Sequence, residues 1–213
     1  EGYLGDWFPP PQILGRDGAG DIVAIGEGVT NFKVGDAVYG SIGKTYAEFA
    51  ATITSEIALK PKSLSYTEAA ALPIGVLTAW NALFDTAGLT AGQRVLIHGA
   101  AGGVGSFGVQ LAKIKGAHVI ATASASNEAF VRELGADEFI DYRTTRFEDA
   151  AKNVDVVFDT MGGETLDRSY AVVKSGGTVV TVAGQPSPEK AAQYNIKALS
   201  AGSRATTELL TEI

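Results

Sequence analysis

The chain has 213 residues, 46% of them hydrophobic and 19% charged, with a formal net charge of −7. That composition fits a globular protein with a sizeable core, and its acidic balance with scattered Lys and Arg argues against nucleic acid as a partner. No cysteine is present and the only histidines are His98 and His118, which excludes disulfides, thiolate metal centres and histidine-rich metal sites, and makes the cytoplasm the expected compartment.

The chain opens "EGYLGDWFPPPQ", without a methionine, and closes "TELLTEI" in a helical pattern, so both ends read as cut. Pro9, Pro10 and Pro11 impose an extended approach. Over residues 1–62 short apolar runs alternate with turn glycines, in "ILGRDGAGDIVAIGEGV", "GDAVYG" and "TYAEFAATITSEIAL". This spacing predicts short strands in a β-rich unit, here placed at residues 1–75. At 65–68 "SYTE" has capping-box spacing, with Ser65 as cap and Glu68 reaching back. A helix follows, interrupted at Pro73, and continues as "VLTAWNALFDTAG" to a stop at Gly88. The apolar stretch at 69–84 is broken by Pro73, Thr78 and Asn81, which is too short and polar for a membrane span. No signal sequence is visible.

From residue 94 strands and helices alternate, and residues 76–213 read as one dinucleotide-binding domain. The strand "RVLIHG" leads to the helix "VGSFGVQLAKIKG", on which Val104, Phe107, Leu111 and Ile114 form the expected apolar stripe. Next come strand "HVIATA", helix "NEAFVRELG", strand "EFIDY", a short helix near 146–152, strand "VDVVFDT", helix "ETLDRSYAVVKSG" and strand "TVVTVAG". A weak strand "NIKALSA" precedes a final helix. Continuous apolar strands between amphipathic helices predict an α/β fold with a doubly wound parallel sheet covered on both faces.

Residues 98–105, "HGAAGGVG", join the first strand of that sheet to its first helix. Gly102, Gly103 and Gly105 take the last positions of a G-x-G-x-x-G-like turn, with Ala100 where the first glycine would stand. A turn without side chains lets backbone N–H groups approach a pyrophosphate, the helix directs its positive end at that charge, and Gly105 permits close helix–strand packing. With a strand before and a helix after, the turn reads as a phosphate cradle. At the end of the second strand an NAD site places an acid for the ribose hydroxyl. Here Ser124 stands there, followed by Ser126 and Asn127, and the first acid is Glu128. No Lys or Arg lies close by; Tyr142 and Arg143, after the third strand, could contribute. The balance favours NADP(H) over NAD(H).

The ordered combination of "ILGRDGAGDIVAIGEGVTNFKVGDAVYG", "HGAAGGVG" and "DVVFDTMGG" resembles the zinc-independent quinone oxidoreductases of the medium-chain dehydrogenase/reductase superfamily, the zeta-crystallin-like group, over essentially the whole chain. The resemblance implies a GroES-like catalytic domain, here partial, a Rossmann domain truncated at its C-terminus, and a substrate cleft between them. It also implies NADPH as hydride donor to a quinone or activated alkene, and a homodimer formed through "NIKALSA". By position, Ala101, Gly102, Gly103 and Val104 would contact the pyrophosphate, and Ser124 and Tyr142 would lie near the adenosine ribose and its phosphate. Thr160, Met161, Ala183 and Gly184 would line the nicotinamide half, with Thr78 packing against it. Trp7 and Phe8 match a segment bordering the substrate mouth. Zinc-dependent relatives carry a His-Glu pair where this chain has Arg16 and Asp17, and a Cys where it has Ile74, so no metal is expected.

No residue is singled out as catalytic, because hydride transfer to a quinone needs positioning and electrostatics rather than an obligatory acid or base. Tyr46 could donate to an enone, though it reads as strand packing. His98 reads as a structural imidazole, and Asp159 as a packing or backbone-bonding residue. Two other functions fit the same fold: reduction of an enoyl thioester, and binding of NADP(H) without catalysis.

Overall fold

The N-terminal alternation of apolar runs and glycines folds as three short antiparallel strands in a computed structural model that describes residues 12–213. They are β1 (Gly18–Asp21), β2 (Ala37–Gly40) and β3 (Ile57–Leu59), in the order β1-β2-β3. Gly18 faces Gly40 and Val38 faces Leu59. Gly40 is required by its surroundings, since a Cβ there would lie 2.1 Å from the Glu56 carbonyl oxygen. Phe32, Val38, Ile42 and Ile57 form the small core, with Ile22 and Val29 packed against it. The strands are shorter than the sequence suggests. Of "TYAEFAATITSEIAL" only the last residues join the sheet, and Tyr46 lies outside any strand with 79% of its surface exposed, which overturns its reading as strand packing.

Helix α1 (Tyr66–Ala70) starts with the anticipated box: the Ser65 hydroxyl accepts from Glu68 N, and Ser65 N donates to the Glu68 carboxylate. Such caps satisfy helix-start N–H groups that would otherwise lack partners. Helix α2 (Pro73–Trp80) begins at its proline, where no N–H is needed. Beyond it the helix does not continue as α. Asn81–Thr86 widens into a π turn, in which Ala87 N donates to Ala82 O, and Asn81 Nδ2 reaches outward to Gly202 O at 2.6 Å.

Two compact units result, one running up to Leu77 and including Ala205–Ile213, the other Thr78–Arg204. The closing segment therefore groups with the first unit, whereas the sequence places it at the end of the dinucleotide-binding domain. Its anchors are specific. Buried Tyr39 donates its hydroxyl to Leu210 O at 2.5 Å, and Thr207 Oγ1 donates to Thr54 O and Ile57 O.

The second unit holds the parallel strands β4 (Arg94–His98), β5 (His118–Ala123), β6 (Glu138–Asp141), β7 (Val154–Asp159), β8 (Val173–Thr181) and β9 (Lys197–Ser200). Their order is β6-β5-β4-β7-β8-β9, so the sheet reverses its winding at β4. Helices α3 (Gly105–Ile114), α4 (Glu128–Glu133), α5 (Phe147–Ala150), α6 (Gly163–Ser169) and α7 (Pro188–Tyr194) cross between them. Helix α7 is absent from the sequence reading; Ser187 caps Lys190 N, Pro188 opens the helix and Asn195 closes it in the left-handed region. A last helix, α8 (Thr207–Glu212), lies in the first unit.

Helix α3 corrects the expected stripe. Its buried residues are Gly105, Gly108, Val109, Leu111 and Ala112, while Ile114 is 78% exposed. A Cβ on Gly108 would lie 2.9 Å from the Phe158 ring and 3.6 Å from Ile97 Cδ1, so a glycine there lets the helix approach the sheet closely. Among the described residues no helix is long and apolar enough to cross a membrane.

Candidate functional site

In open parallel sheets ligands bind beyond the carboxyl ends of the strands, at the point where the winding reverses. Here that point follows β4, and the glycine-rich residues 99–105 occupy it. Gly99 adopts φ +68°, a conformation that glycine enters without strain. Gly105 has no space for a side chain, because a Cβ would lie 2.2 Å from Gly99 O. Gly103 faces open space, with nothing within 4 Å of a Cβ position. Gly102 N donates to Gly99 O at 2.9 Å and closes the turn, while Ala100 N donates to Thr122 O and ties it to β5. The N–H groups of Ala101, Gly103 and Val104 have no acceptor among the described residues. Donors of this kind at the start of a ten-residue helix make an anion cradle.

Two further turns close against this one, and buried Asp159 organises them. Its carboxylate accepts from Met161 N at 3.1 Å, from Gly162 N at 3.0 and 3.2 Å, and from the Thr181 hydroxyl at 2.7 Å. The Thr181 hydroxyl in turn accepts from Ala183 N. A buried carboxylate without a cationic partner persists only when backbone and hydroxyl donors replace its water, and here three do. The turns after β7 and β8 also touch directly, since a Cβ on Gly162 would lie 2.1 Å from Ala183 O. Thr160 Oγ1 donates to His98 O at 2.8 Å, and a Cβ on Gly99 would lie 2.4 Å from that hydroxyl. The structure thus gathers Thr160, Met161, Ala183 and Gly184 beside the glycine turn. Gly99, Gly162 and Thr181 hold the three turns together; of these only Gly162 stands in the second glycine cluster, "DTMGG".

Ser124 and Tyr142 meet at the other end of the site. Ser124 follows β5 and is buried; its hydroxyl accepts from Asn127 Nδ2 at 3.1 Å and lies 3.0 Å from Ser126 Oγ. Tyr142 N donates to Ala123 O, its ring is exposed, and the Arg143 guanidinium stands 5.8 Å from the ring centre. Glu128, the first acid after β5, is engaged with Arg132 at 2.8 Å. Thr78 is buried on α2 without a side-chain hydrogen bond to these turns. Trp7 and Phe8 lie outside the described residues.

His98 is buried and bonded at both ring nitrogens. The Ser169 hydroxyl donates to Thr165 O at 2.7 Å, so His98 Nε2, 3.1 Å from Ser169 Oγ, carries the ring proton, and Nδ1 accepts from Thr122 Oγ1 at 3.0 Å. The ring also meets Phe147 edge to face at 4.5 Å between centroids. Burial drives its pKa down to about 4 against the raising influence of Asp159, with Arg168 lowering it further and Glu148 opposing. This imidazole is neutral and structural. In the first unit Asp17 accepts from Ile74 N at 3.0 Å, and burial raises its pKa despite that bond and nearby Arg16.

Comparison with known proteins fits this geometry. Residues 103–209 match the family described as zinc-binding dehydrogenase, and residues 1–72 the alcohol dehydrogenase GroES-like domain. The chain is 42% identical to the mitochondrial NAD(P)H oxidoreductase RTN4IP1 of Danio rerio, over 81% of this chain and 48% of that protein. It is also 42% identical to the 2-methylene-furan-3-one reductase of Solanum lycopersicum, over 84% and 49%. The chain thus spans about half the length of the curated relatives it matches. The quinone oxidoreductase of Coxiella burnetii superposes with a TM-score of 0.89 at 36% identity, covering 98% of this chain and 68% of that one.

Proposed function

The chain belongs to the medium-chain dehydrogenase/reductase superfamily, and from that premise we propose that it binds NADP(H) and serves the zinc-independent reduction of a quinone or an activated alkene. The observation that carries this reading is the turn at 99–105, with the N–H groups of Ala101, Gly103 and Val104 without acceptors among the described residues and open space around Gly103. When bound, the reduced dinucleotide supplies the hydride. Gly102 and Gly103 let the backbone approach the pyrophosphate, and the start of α3 favours its charge. Asp159, through Met161 N, Gly162 N and Thr181, holds the walls of the nicotinamide half in place. Such fixed geometry serves hydride transfer, which depends on position more than on acid–base groups.

Preference for the phosphorylated dinucleotide is supported at the end of β5. Ser124 brings no charge there, and the acid that follows, Glu128, is held by Arg132. Because Ser124 is buried, it acts by holding Ser126 and Asn127, while Tyr142 and Arg143 stand across from them. Operation without zinc is supported by ligand chemistry. The chain has no cysteine, and Asp17 and Ile74, brought together by a hydrogen bond, replace the Glu and Cys of zinc-dependent relatives. Among the described residues the edge strand β9 is paired on one side only, by β8, and it is the surface we assign to a homodimer. The cysteine-free composition supports a cytoplasmic location, in contrast to the relative of Danio rerio, and cell fractionation checks it.

A fluorescence titration with NADPH and NADH tests the core of the proposal, followed by addition of a quinone, an enone and an enoyl thioester. The expected result is NADPH binding tighter by about tenfold or more, about 1.4 kcal/mol, with oxidation by the quinone or enone. Equal affinities would remove the NADP(H) preference, and reaction with the thioester alone would favour enoyl reduction. Binding without any oxidation would reduce the span's role to holding the dinucleotide. Light scattering on the same sample reports the dimer; a monomeric mass rejects it.

A further inference from the structure

Met161 is the only methionine in the chain, and with no cysteine its thioether is the only sulfur. It sits in the turn after β7 with 59% of its surface exposed. Its backbone is pinned, since Met161 N donates to the buried Asp159 carboxylate at 3.1 Å. Its side chain lies over the glycine turn: a Cβ built on Gly99 would fall 3.0 Å from Sδ and 3.6 Å from Cγ. The thioether therefore occupies space that Gly99 leaves empty, beside the cradle and in reach of solvent.

We propose that Met161 is an oxidation site through which a hydroperoxide weakens dinucleotide binding, an inference that rests on the reading of the turns at 99–105 and 160–163 as the cofactor site. In the reaction the sulfur lone pair attacks one peroxide oxygen, the O–O bond breaks and an S–O bond forms. The sulfur loses two electrons, the peroxide gains them, and with hydrogen peroxide the second oxygen leaves as water. An apolar, flexible thioether becomes a polar and chiral sulfoxide. Gly99 blocks one side of the sulfur, so the new oxygen projects from the exposed side, which the nicotinamide half would cover. The Asp159 bond prevents the backbone from withdrawing to make room. A bound dinucleotide shields the sulfur for the same reason, so cofactor and peroxide compete for Met161.

The experiment treats the full chain with hydrogen peroxide alone, with saturating NADP⁺, or with adenosine 2′,5′-bisphosphate, which lacks the nicotinamide half. Peptide mass spectrometry follows oxygen addition at Met161, and fluorescence titration gives NADPH affinity before and after treatment, for the natural chain and for Met161→Leu. NADP⁺ is expected to slow oxidation by about fivefold or more and the bisphosphate by less than about twofold, as shielding by the nicotinamide half requires. Oxidation is expected to weaken NADPH binding by about fivefold in the natural chain, while peroxide leaves the affinity of Met161→Leu, whatever its starting value, unchanged. Binding without protection, unaltered affinity of the sulfoxide form, or equal peroxide sensitivity in Met161→Leu would each overturn the inference alone. If neither ligand binds the untreated chain, the dinucleotide reading fails first and this inference falls with it.

Discussion

The two sheets of this molecule manage apolar surface in opposite ways. Strands β4, β5 and β7 keep every large apolar side chain buried. In the first unit Leu59 of β3 is exposed, and so are Val23, Ile25, Val34, Phe49 and Ile53 in its loops. Connectivity contributes to the difference. A parallel strand returns through a crossover helix, and that helix covers the sheet it has just left. Three antiparallel strands of three or four residues, joined by loops, bring no crossover helix with them; α1 packs against β1 and β2, and α8 against β3, from elsewhere in the chain. The glycine turn at 99–105 and the turns after β7 and β8 belong to the sheet whose crossover helices cover it.

A matched pair of substitutions tests how far that difference reaches. Gly105 and Gly40 each leave a would-be Cβ against a backbone carbonyl oxygen, at 2.2 and 2.1 Å respectively. Overpacking of that kind costs about 3 kcal/mol or more when backbone has to move. Gly105→Val is expected to abolish NADPH binding and to lower stability to urea, because it pries α3 from the turn. Gly40→Val is expected to disrupt the three-stranded sheet yet leave NADPH affinity within about threefold of the natural chain. Equal loss of binding in both variants would break the comparison, since the site would then depend on the first unit as much as on the second.

Acid sharpens the contrast with a smaller effect. His98 is neutral when folded, its pKa lowered to about 4 chiefly by burial, with Asp159, Arg168 and Glu148 the charged groups acting on it. Unfolded, it takes a proton near 6.5, as a solvated imidazole does. The unfolded state therefore binds more protons between those values, and the second unit loses stability as pH falls from about 6.5 to about 4, by a few kcal/mol. Glu148 titrates lower; hydrogen bonds from Arg168 bring its pKa to about 2, so its contribution is lost only below 4.5. Asp17 in the first unit has the opposite sign. Burial raises its pKa, so folding favours its protonated form and acid supports that unit. Urea denaturation across this range should show the natural chain losing stability more steeply than His98→Gln. Parallel slopes would mean that His98 does not set the acid limit.

These differences also decide what could be read from the sequence. Strand β5 is predicted residue for residue, because "HVIATA" is apolar on both faces and ends at turn residues. The capping box at Ser65 and Glu68 is local chemistry and is equally legible. The stripe on α3 is not, because the eye follows Phe107, Leu111 and Ile114, whereas a helix pressed onto a strand buries Gly105 and Gly108. Asp159 illustrates the limit for the site. Its position after an apolar strand is visible, but that it joins Gly162 and Thr181 depends on β7 and β8 being neighbours. The closing helix escapes for a similar reason, since Tyr39 and Leu210 stand far apart in the chain.

The smallest effect concerns the end of β5, where the two dinucleotides differ by one phosphate. Ser124 is 8% exposed and already receives Asn127 Nδ2, with Ser126 Oγ 3.0 Å away. A carboxylate introduced by Ser124→Asp would find both donors in place, so the substitution should fold. Its charge would then stand where the resemblance places the 2′-phosphate, close to the Tyr142 strand end and without a cation of its own. Repulsion of a phosphate and attraction of a free ribose hydroxyl act in the same direction on the ratio of affinities. The expected outcome is an NADPH-to-NADH affinity ratio reduced about tenfold, or about 1.4 kcal/mol, with the sum of adenosine-independent contacts at 99–105 unaltered. The same titration on Gly40→Val should leave that ratio where it is, because nothing in the three-stranded sheet distinguishes the two ligands. A ratio unmoved by Ser124→Asp would place the 2′-phosphate elsewhere and return Ser124 to a role in holding the turn at 125–127.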